Sequence, residues 1–305
     1  MLRIGIDLGG TKTEILALDD RGATLLRRRT QTPTGNYEAT VQHIARLVGA
    51  AERELNQTGT VGIGTPGAIS PASGCLRNSN STCLNGKPLK QDLERLLERP
   101  VHLSNDANCF VLSEALDGAA AGARIAFGVI LGTGVGGGIA VHGRALEGVN
   151  AIAGEWGHNP LPWPEDSERP GPLCYCGKRG CIETWLSGPG LERDHERYSG
   201  ERLTATAIAQ HAETGDGAAH ASLVRYEHRL ARSLATVINV LDPDVIVLGG
   251  GLSNIARLYH NVPAQWGQWI FSDVVNTRLE RNRHGDSSGV RGAAFIGAAT
   301  KNTHP

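Results

Sequence analysis

One strand–turn pattern occurs twice in this chain, and it constrains the fold more than any other feature. Residues 2–13 read LRIGIDLGGTKT, and residues 127–139 read FGVILGTGVGGGI. Each is an apolar strand running into a Gly/Thr turn and then into a second strand, Thr13–Leu18 in one copy and Gly138–Val141 in the other. Glycine in such a turn lets the backbone approach a ligand closely and reach positive φ. Consecutive backbone N–H groups there form a concave anion site. Two such loops in related halves predict a phosphate chain held between two lobes, as in a nucleotide phosphotransferase. A third turn, Gly249-Gly250-Gly251, follows the apolar strand at 244–248. None of the three has the Walker spacing, or the dinucleotide fingerprint with a helix directly after the turn.

A chain of 305 residues can bury two large cores, so the two turns predict two domains. The net charge of -1 argues against a broad nucleic-acid footprint. The sequence contains no run of about 18 apolar residues, so no membrane span is expected. The first strand starts within two residues of Met1, which leaves no room for a signal peptide and predicts a cytoplasmic protein. Thiols stay reduced there, so the six cysteines are expected to be free or metal-bound.

The remaining pattern alternates helix and strand. Val41, Ile44, Leu47, Val48, Ala51 and Leu55 share one face of a helix predicted over 37–55. A strand at 60–64 leads into the turn Thr65-Pro66-Gly67, and 78–86 is a polar loop. Helix 91–97, strand 101–103 and helix 106–121 follow, and the second glycine hairpin starts near Arg124. Residues 148–188 are irregular and rich in Pro, Gly, Trp and Cys, and a loop that long is functional or pinned by a ligand. A helix over 226–241, a strand over 244–248 and a final helix over 290–300 close the chain. The expected units are a small α/β lobe at 1–118, a large α/β lobe at 119–289, and a C-terminal helix at 290–305 returning to the first lobe.

Asp7 ends the first strand inside the turn. Such a carboxylate can approach a phosphate-bound Mg²⁺ through water, and it is also a common turn former. Thr11 and Thr133 can donate hydroxyl hydrogen bonds to phosphate oxygens, and Lys12 offers charge or points to solvent. Asp106 lies in Ser104-Asn105-Asp106-Ala107-Asn108, between a strand and a helix. Two roles are open to it: N-cap of that helix, or general base taking the proton of a hydroxyl that attacks a γ-phosphate. Asn105 and Asn108 add amides suited to a sugar.

Cys174, Cys176 and Cys181 lie within eight residues, and His158 precedes them in Gly154-Glu155-Trp156-Gly157-His158. Three thiolates and one imidazole complete a tetrahedral Zn²⁺ site. Four protein ligands leave no open position, so the expected metal is structural. Glu155 and Glu183 flank this loop, either as a rigid clamp on sugar hydroxyls or as solvated carboxylates. His158 has a second ring nitrogen that can touch sugar.

Taken together these residues resemble the ROK family of repressors and sugar kinases. The likeness is carried by Asp7-Leu-Gly-Gly-Thr-Lys12, Gly64-Thr-Pro-Gly67, Asn105-Asp106, Gly132-Thr-Gly-Val-Gly-Gly137, Glu155-Trp-Gly-His158 and Cys174-x-Cys-Gly-x-x-Gly-Cys-x-Glu183. It covers essentially the whole chain. It implies an α/β, actin-like ATPase (ribonuclease H-like) fold, two lobes with a duplicated βββαβα core. It also implies ATP, Mg²⁺, one structural Zn²⁺, a homodimer, and phosphorylation of a hexose at its 6-hydroxyl. By the same resemblance Asp106 is the base, and Gly67, Asn80, Asn105, Glu155, His158 and Glu183 bind sugar. Asp7, Gly9, Gly10, Thr11, Lys12, Gly132, Thr133, Gly134, Gly136, Gly137, Gly250 and Gly251 bind the nucleotide. Residues 78–85, 157–163 and 284–293 are most similar to bacterial fructokinase/mannokinase, so fructose is the expected hexose. The alternative is glucose or an N-acetylated amino sugar. A sugar-responsive repressor needs a DNA-binding helix-turn-helix, and this chain opens directly on the first hairpin. A chaperone or filament protein sharing the fold is disfavoured by the short length, the zinc loop and Asn105-Asp106.

Overall fold

Strand β1 (Leu2–Leu8) is apolar on both faces, and Leu2, Ile4, Ile6 and Leu8 are all buried. A strand with this pattern belongs in the middle of a covered sheet. In this computed structural model, which describes residues 1–297, β1 lies at the centre of a five-stranded sheet. The order is β3-β2-β1-β4-β7, formed with β2 (Lys12–Leu18), β3 (Thr24–Gln31), β4 (Gly59–Thr65) and β7 (Val101–Asn105). β1, β2 and β3 pair antiparallel, whereas β1, β4 and β7 pair parallel. The parallel crossovers run through α1 (Tyr37–Leu55) and α2 (Leu89–Leu97), and α3 (Asp106–Asp117) follows β7. Asn36 caps α1 by accepting from the Ala39 N–H, and Ile44, Val48 and Ala51 bury its apolar face. A small hairpin of β5 (Ala68–Ile69) and β6 (Leu76–Arg77) projects between β4 and α2.

The chain divides into two units, and the first comprises Met1–Asp117, Arg144–Ala153 and the segment from Asp286 onward. Arg144–Ala153, which holds β10 (Arg144–Ala145), thus joins the first unit although it falls inside the span expected for the second lobe. Helix α9 (Ser288–Ile296) packs against β1, β4 and α3. Glycine permits this approach. A Cβ on Gly5 would overlap the Val290 carbonyl oxygen, and one on Gly62 would overlap that of Ala293. Residues 298–300 of the expected final helix lie outside the described residues.

The second unit comprises Gly118–Gly143 and Gly154–Gly285. Its strands run β9-β8-β11-β12, formed by β8 (Ile125–Leu131), β9 (Val135–Val141), β11 (Val245–Gly249) and β12 (Arg278–Arg281). The antiparallel β8–β9 hairpin and the parallel β8–β11–β12 ladder repeat the plan of the first sheet. Helices α4 (Glu183–Leu186), α5 (Gly188–Ser199), α6 (Ala205–Glu213), α7 (Gly217–Leu241) and α8 (Leu258–Asn261) complete the unit. Phe127, Val129, Trp156, Trp185, Leu230, Leu234, Ile246 and Trp266 belong to its core.

The long irregular segment 148–188 is pinned by charge as well as by packing. Arg229 and Arg232 on α7 are buried; Arg229 donates to Glu168 at 2.7 Å and to Asp194 at 2.7 Å, and Arg232 donates to Glu168 at 2.9 Å. Bidentate pairing of this kind satisfies charges that would otherwise be costly to bury.

Three local expectations shift. Helix α3 stops at Asp117 rather than Ala121, because Gly118 begins a turn where the chain enters the second unit. α7 begins at Gly217, capped by the Asp216 carboxylate, nine residues before the expected start. β3, with sequence TLLRRRTQ, was not legible as a strand, since only Leu26 is buried on this charged edge. Among the described residues no helix is long and apolar enough to cross a membrane.

Candidate active site

The first unit gathers its candidate residues at the C-terminal ends of β1, β4 and β7. Asp7 lies opposite Gly64 on β4 and opposite Glu14 on β2. The Gly9 N–H donates to the Lys12 carbonyl at 3.0 Å and closes the first turn. Thr32 Oγ1 donates to the Gly9 carbonyl at 2.8 Å and supports it from β3's side. Thr11 and Lys12 are exposed at the tip. Ser81 borders Gly10, whose added Cβ would stand 3.2 Å from Ser81 Oγ.

Asp7 is partly buried, and its carboxyl is pushed up to about 7. Burial is the first cause, and repulsion from Asp106 and Glu14 adds to it, while Arg29 pulls the other way. Asp7 and Asp106 thus share one electrostatic neighbourhood. Glu14 is itself buried and is held by Arg27 at 2.6 Å and Arg29 at 2.8 Å. The N-terminal turn of α9 also approaches, since a Cβ on Gly289 would lie 3.6 Å from Asp7 Oδ2. A carboxylate pair under this repulsion is a natural seat for a hydrated divalent cation, which relieves it.

Asn105 ends β7 and Asp106 opens α3, and both side chains accept from the Ala107 N–H at 2.8 Å. Of the two roles read for Asp106, the cap falls to Asn105, whose Oδ1 accepts from the N–H two residues on, while Asp106 is the first residue of α3 and its charge acts on Asp7. Asn105 Nδ2 donates to the Gly67 carbonyl at 3.1 Å. Gly67 sits at φ +81°, and a Cβ there would overlap the Arg77 carbonyl oxygen, so this tight approach needs glycine. Asn80 is exposed on a loop stapled by Asn85, which accepts from the Ser79 N–H and donates to the Ser79 carbonyl, each at 2.9 Å.

The second unit brings its own candidates together around the β8–β9 turn. Glu183, at the start of α4, accepts from the Val135 N–H at 3.0 Å. A Cβ on Gly134 would stand 2.6 Å from Glu183 Oε2, and one on Gly137 would stand 2.9 Å from Trp156 Nε1. These two glycines make room for protein side chains. Gly132 faces open space within 4 Å, as does Gly251. Gly250, at φ +80°, packs against the Leu131 backbone. Thr133 is exposed at the turn, and the Gly136 carbonyl accepts from Trp156 Nε1 at 3.2 Å.

His158, Cys174, Cys176 and Cys181 place one donor atom each within 4.8 Å of one another. Cys174 Sγ lies 3.6 Å from His158 Nδ1, and Cys176 Sγ lies 3.6 Å from Cys181 Sγ. Ligands about 2.3 Å from a tetrahedral zinc are about 3.7 Å apart, so the donor set and its spacing fit that ion. The chain bends as required because Gly177 N–H donates to the Cys174 carbonyl at 3.0 Å, and the Cys174 N–H donates to the Lys178 carbonyl at 2.8 Å. Glu155 is exposed and leads directly into the short turn that carries His158.

Sequence reasoning passed over Tyr175. Its hydroxyl lies 2.9 Å from His158 Nε2, with the rings perpendicular at 5.1 Å. Desolvation of the hydroxyl, then the charges of Glu183, Cys174 and Glu155, push it up to about 12, so the phenol is neutral at pH 7. The available signal was an aromatic residue between two cysteine ligands. Arg29, which pulls against the upward shift at Asp7, carried no signal because β3 itself was not legible, and Glu14 lay on a legible strand whose register opposite Asp7 was not.

A family model described as the ROK family matches residues 3–299. The N-acetyl-D-glucosamine kinase of Pectobacterium atrosepticum is 40% identical over 298 residues, 96% of this chain and 97% of the relative. Among solved structures, a ROK hexokinase from Thermus thermophilus superposes with a TM-score of 0.84 at 31% identity, covering 97% of both chains. A ROK family glucokinase from Streptomyces griseus, in complex with glucose and AMPPNP, gives 0.79 at 26% identity, covering 97% of this chain and 99% of that one.

Proposed function

The chain belongs to the ROK family, with the actin-like ATPase fold, and from that membership we propose an ATP-dependent kinase that phosphorylates N-acetyl-D-glucosamine at its 6-hydroxyl. The observation that carries the chemistry is the pairing of Asp7 and Asp106 at the strand ends of the first unit. Asp106 accepts the proton of the sugar hydroxyl as that oxygen attacks the γ-phosphorus. The new bond is O–P, and the bond to the β-phosphate oxygen breaks, with ADP leaving. Asp7 would hold a hydrated Mg²⁺, which when bound would supply positive charge against the phosphates. Backbone N–H groups of the turns at 9–12 and 132–137 and of Gly250–Gly251 hold the phosphates, with Thr11, Thr133 and Lys12 beside them.

Asn105, Gly67, Asn80, Glu155, His158 and Glu183 bind the sugar. Each must match a hydroxyl or the acetamido group, because a buried polar group left unpaired costs about 1–3 kcal/mol. His158, Cys174, Cys176 and Cys181 would hold a structural zinc, which would fix the loop on which Glu155 and His158 sit.

Whole-chain likeness supports the amino sugar over the expected fructose. The fructose reading came from three short stretches, whereas the N-acetyl-D-glucosamine kinase aligns over 96% of this chain. The test is ADP release with Mg²⁺-ATP and a panel of N-acetylglucosamine, N-acetylmannosamine, glucose, fructose and mannose. The highest kcat/KM is expected with N-acetylglucosamine. A clear maximum for fructose would restore the other substrate, and no turnover with any sugar would overturn the kinase.

A further inference from the structure

Tyr175 is 81% exposed, unusual for a large aromatic side chain held in one orientation. Its backbone is fixed by the hydrogen bonds on either side of it, while its side chain is held at its tip by the His158 ring. His158 Nδ1 faces the thiol cluster, so the nitrogen that meets the phenol is Nε2, the one left for the sugar. In the arrangement that leaves Nδ1 free for a metal, Nε2 carries the ring proton and donates it to the phenol oxygen. A sugar hydroxyl oxygen would take the same proton along the same direction. The phenol oxygen and the sugar oxygen cannot both occupy that place.

We propose that Tyr175 is a positioning residue displaced by substrate: its phenol stands in for a sugar hydroxyl on His158 Nε2 in the free protein, and the sugar binds by replacing it. The inference rests on the sugar-kinase reading and deepens it. The side chain can leave cheaply because it is exposed and its backbone need not move. Until then it keeps the imidazole in the orientation that both the metal and the sugar require. A ligand unable to engage Nε2 does not dislodge the phenol.

The experiment compares the wild-type protein with Tyr175→Phe, which keeps the ring and removes the competing oxygen. Zinc content and tryptophan fluorescence check that the loop and the fold are retained. N-acetylglucosamine is titrated without nucleotide, following tyrosine near-ultraviolet absorbance, and steady-state kinetics are then measured. Losing one neutral hydrogen bond to the protein corresponds to about threefold to tenfold in affinity. The variant is therefore expected to bind sugar about threefold to tenfold more tightly, with a lower KM and unchanged kcat. The wild-type tyrosine difference signal should be absent from the variant. Unchanged or weaker binding, a persistent difference signal, or loss of zinc in the variant would each overturn the proposal. A wild-type protein that phosphorylates no sugar on the panel would overturn the kinase reading itself, whereas normal wild-type turnover with an unresponsive variant overturns this inference alone.

Discussion

Burial and the charges of Asp106 and Glu14 push the Asp7 carboxyl up, while Arg29 pulls the other way. The consequence can be signed. In the folded protein Asp7 titrates near 7, against 3.8 for an unperturbed carboxyl, so between those values the native state holds more protons than the unfolded state. Stability therefore falls as pH rises through that window. Asp7→Asn mimics the protonated form at every pH. Melted without divalent cations, it is expected to gain about 2–4 °C in Tm over wild type at pH 8 and almost nothing near pH 4. An equal gain at both values would mean that Asp7 is not strained by charge. Asp106→Ala should lower kcat by about 10³-fold with an unchanged far-ultraviolet spectrum, since a positioned base contributes about 10²–10⁴. Substantial residual turnover would move the base elsewhere. The local sequence left Asp106 open between cap and base. The structure gives the cap to Asn105 and places Asp106, as the first residue of α3, where its charge acts on Asp7.

The β8–β9 turn and the cysteine loop meet through Glu183. Its carboxylate takes the Val135 N–H and fills the space over Gly134, so the turn and the loop are one mechanical element. Gly134→Ala would put a methyl 2.6 Å from Glu183 Oε2. The carboxylate must then move, and KM for sugar is expected to rise by about tenfold with little change in Tm, as read from steady-state kinetics and a thermal melt. Zinc is proposed at His158, Cys174, Cys176 and Cys181, and its removal from folded protein should loosen His158, Glu155 and Glu183 together and raise the same KM. An unchanged KM in metal-free, folded protein would separate the metal from the sugar site. Helix α9 gives the stability counterpart. A Cβ on Gly292 would overlap the Cys109 carbonyl oxygen of α3, so Gly292→Ala should cost about 1–3 kcal/mol in denaturant unfolding.

The chain passes between the two units at Asp117/Gly118, Gly143/Arg144, Ala153/Gly154 and Gly285/Asp286, each time next to glycine. The first unit is therefore incomplete until Gly292 and its neighbours on α9 have been synthesised. All five tryptophans, Trp156, Trp163, Trp185, Trp266 and Trp269, belong to the second unit, so their fluorescence reports on that unit alone. A chain ending at Gly285 is expected to lose the protease resistance of residues 1–117 while retaining native tryptophan emission. Full protection of 1–117 in that truncated chain would show that α9 is dispensable to the first core.

What the amino-acid sequence determined by itself is local and periodic. The apolar strands of the two hairpins, the 3.6-residue face of α1, the glycine turns, Asp106 at a strand–helix junction and the spacing of Cys174, Cys176 and Cys181 all follow from neighbouring residues. So does the two-unit α/β plan, because a repeated local pattern implies a repeated structure. Only tertiary structure decided that Asp7 is buried beside the charge of Asp106, that Glu183 occupies the space over Gly134, and that Tyr175 rests on His158 Nε2. It also decided that the charged strand β3 forms at all, by offering it the open edge of β2. The physical reason is common to these cases. Electrostatic and hydrogen-bond energies depend on separations of a few ångströms, and those separations are fixed by the packing of sheets and helices that bring distant residues together.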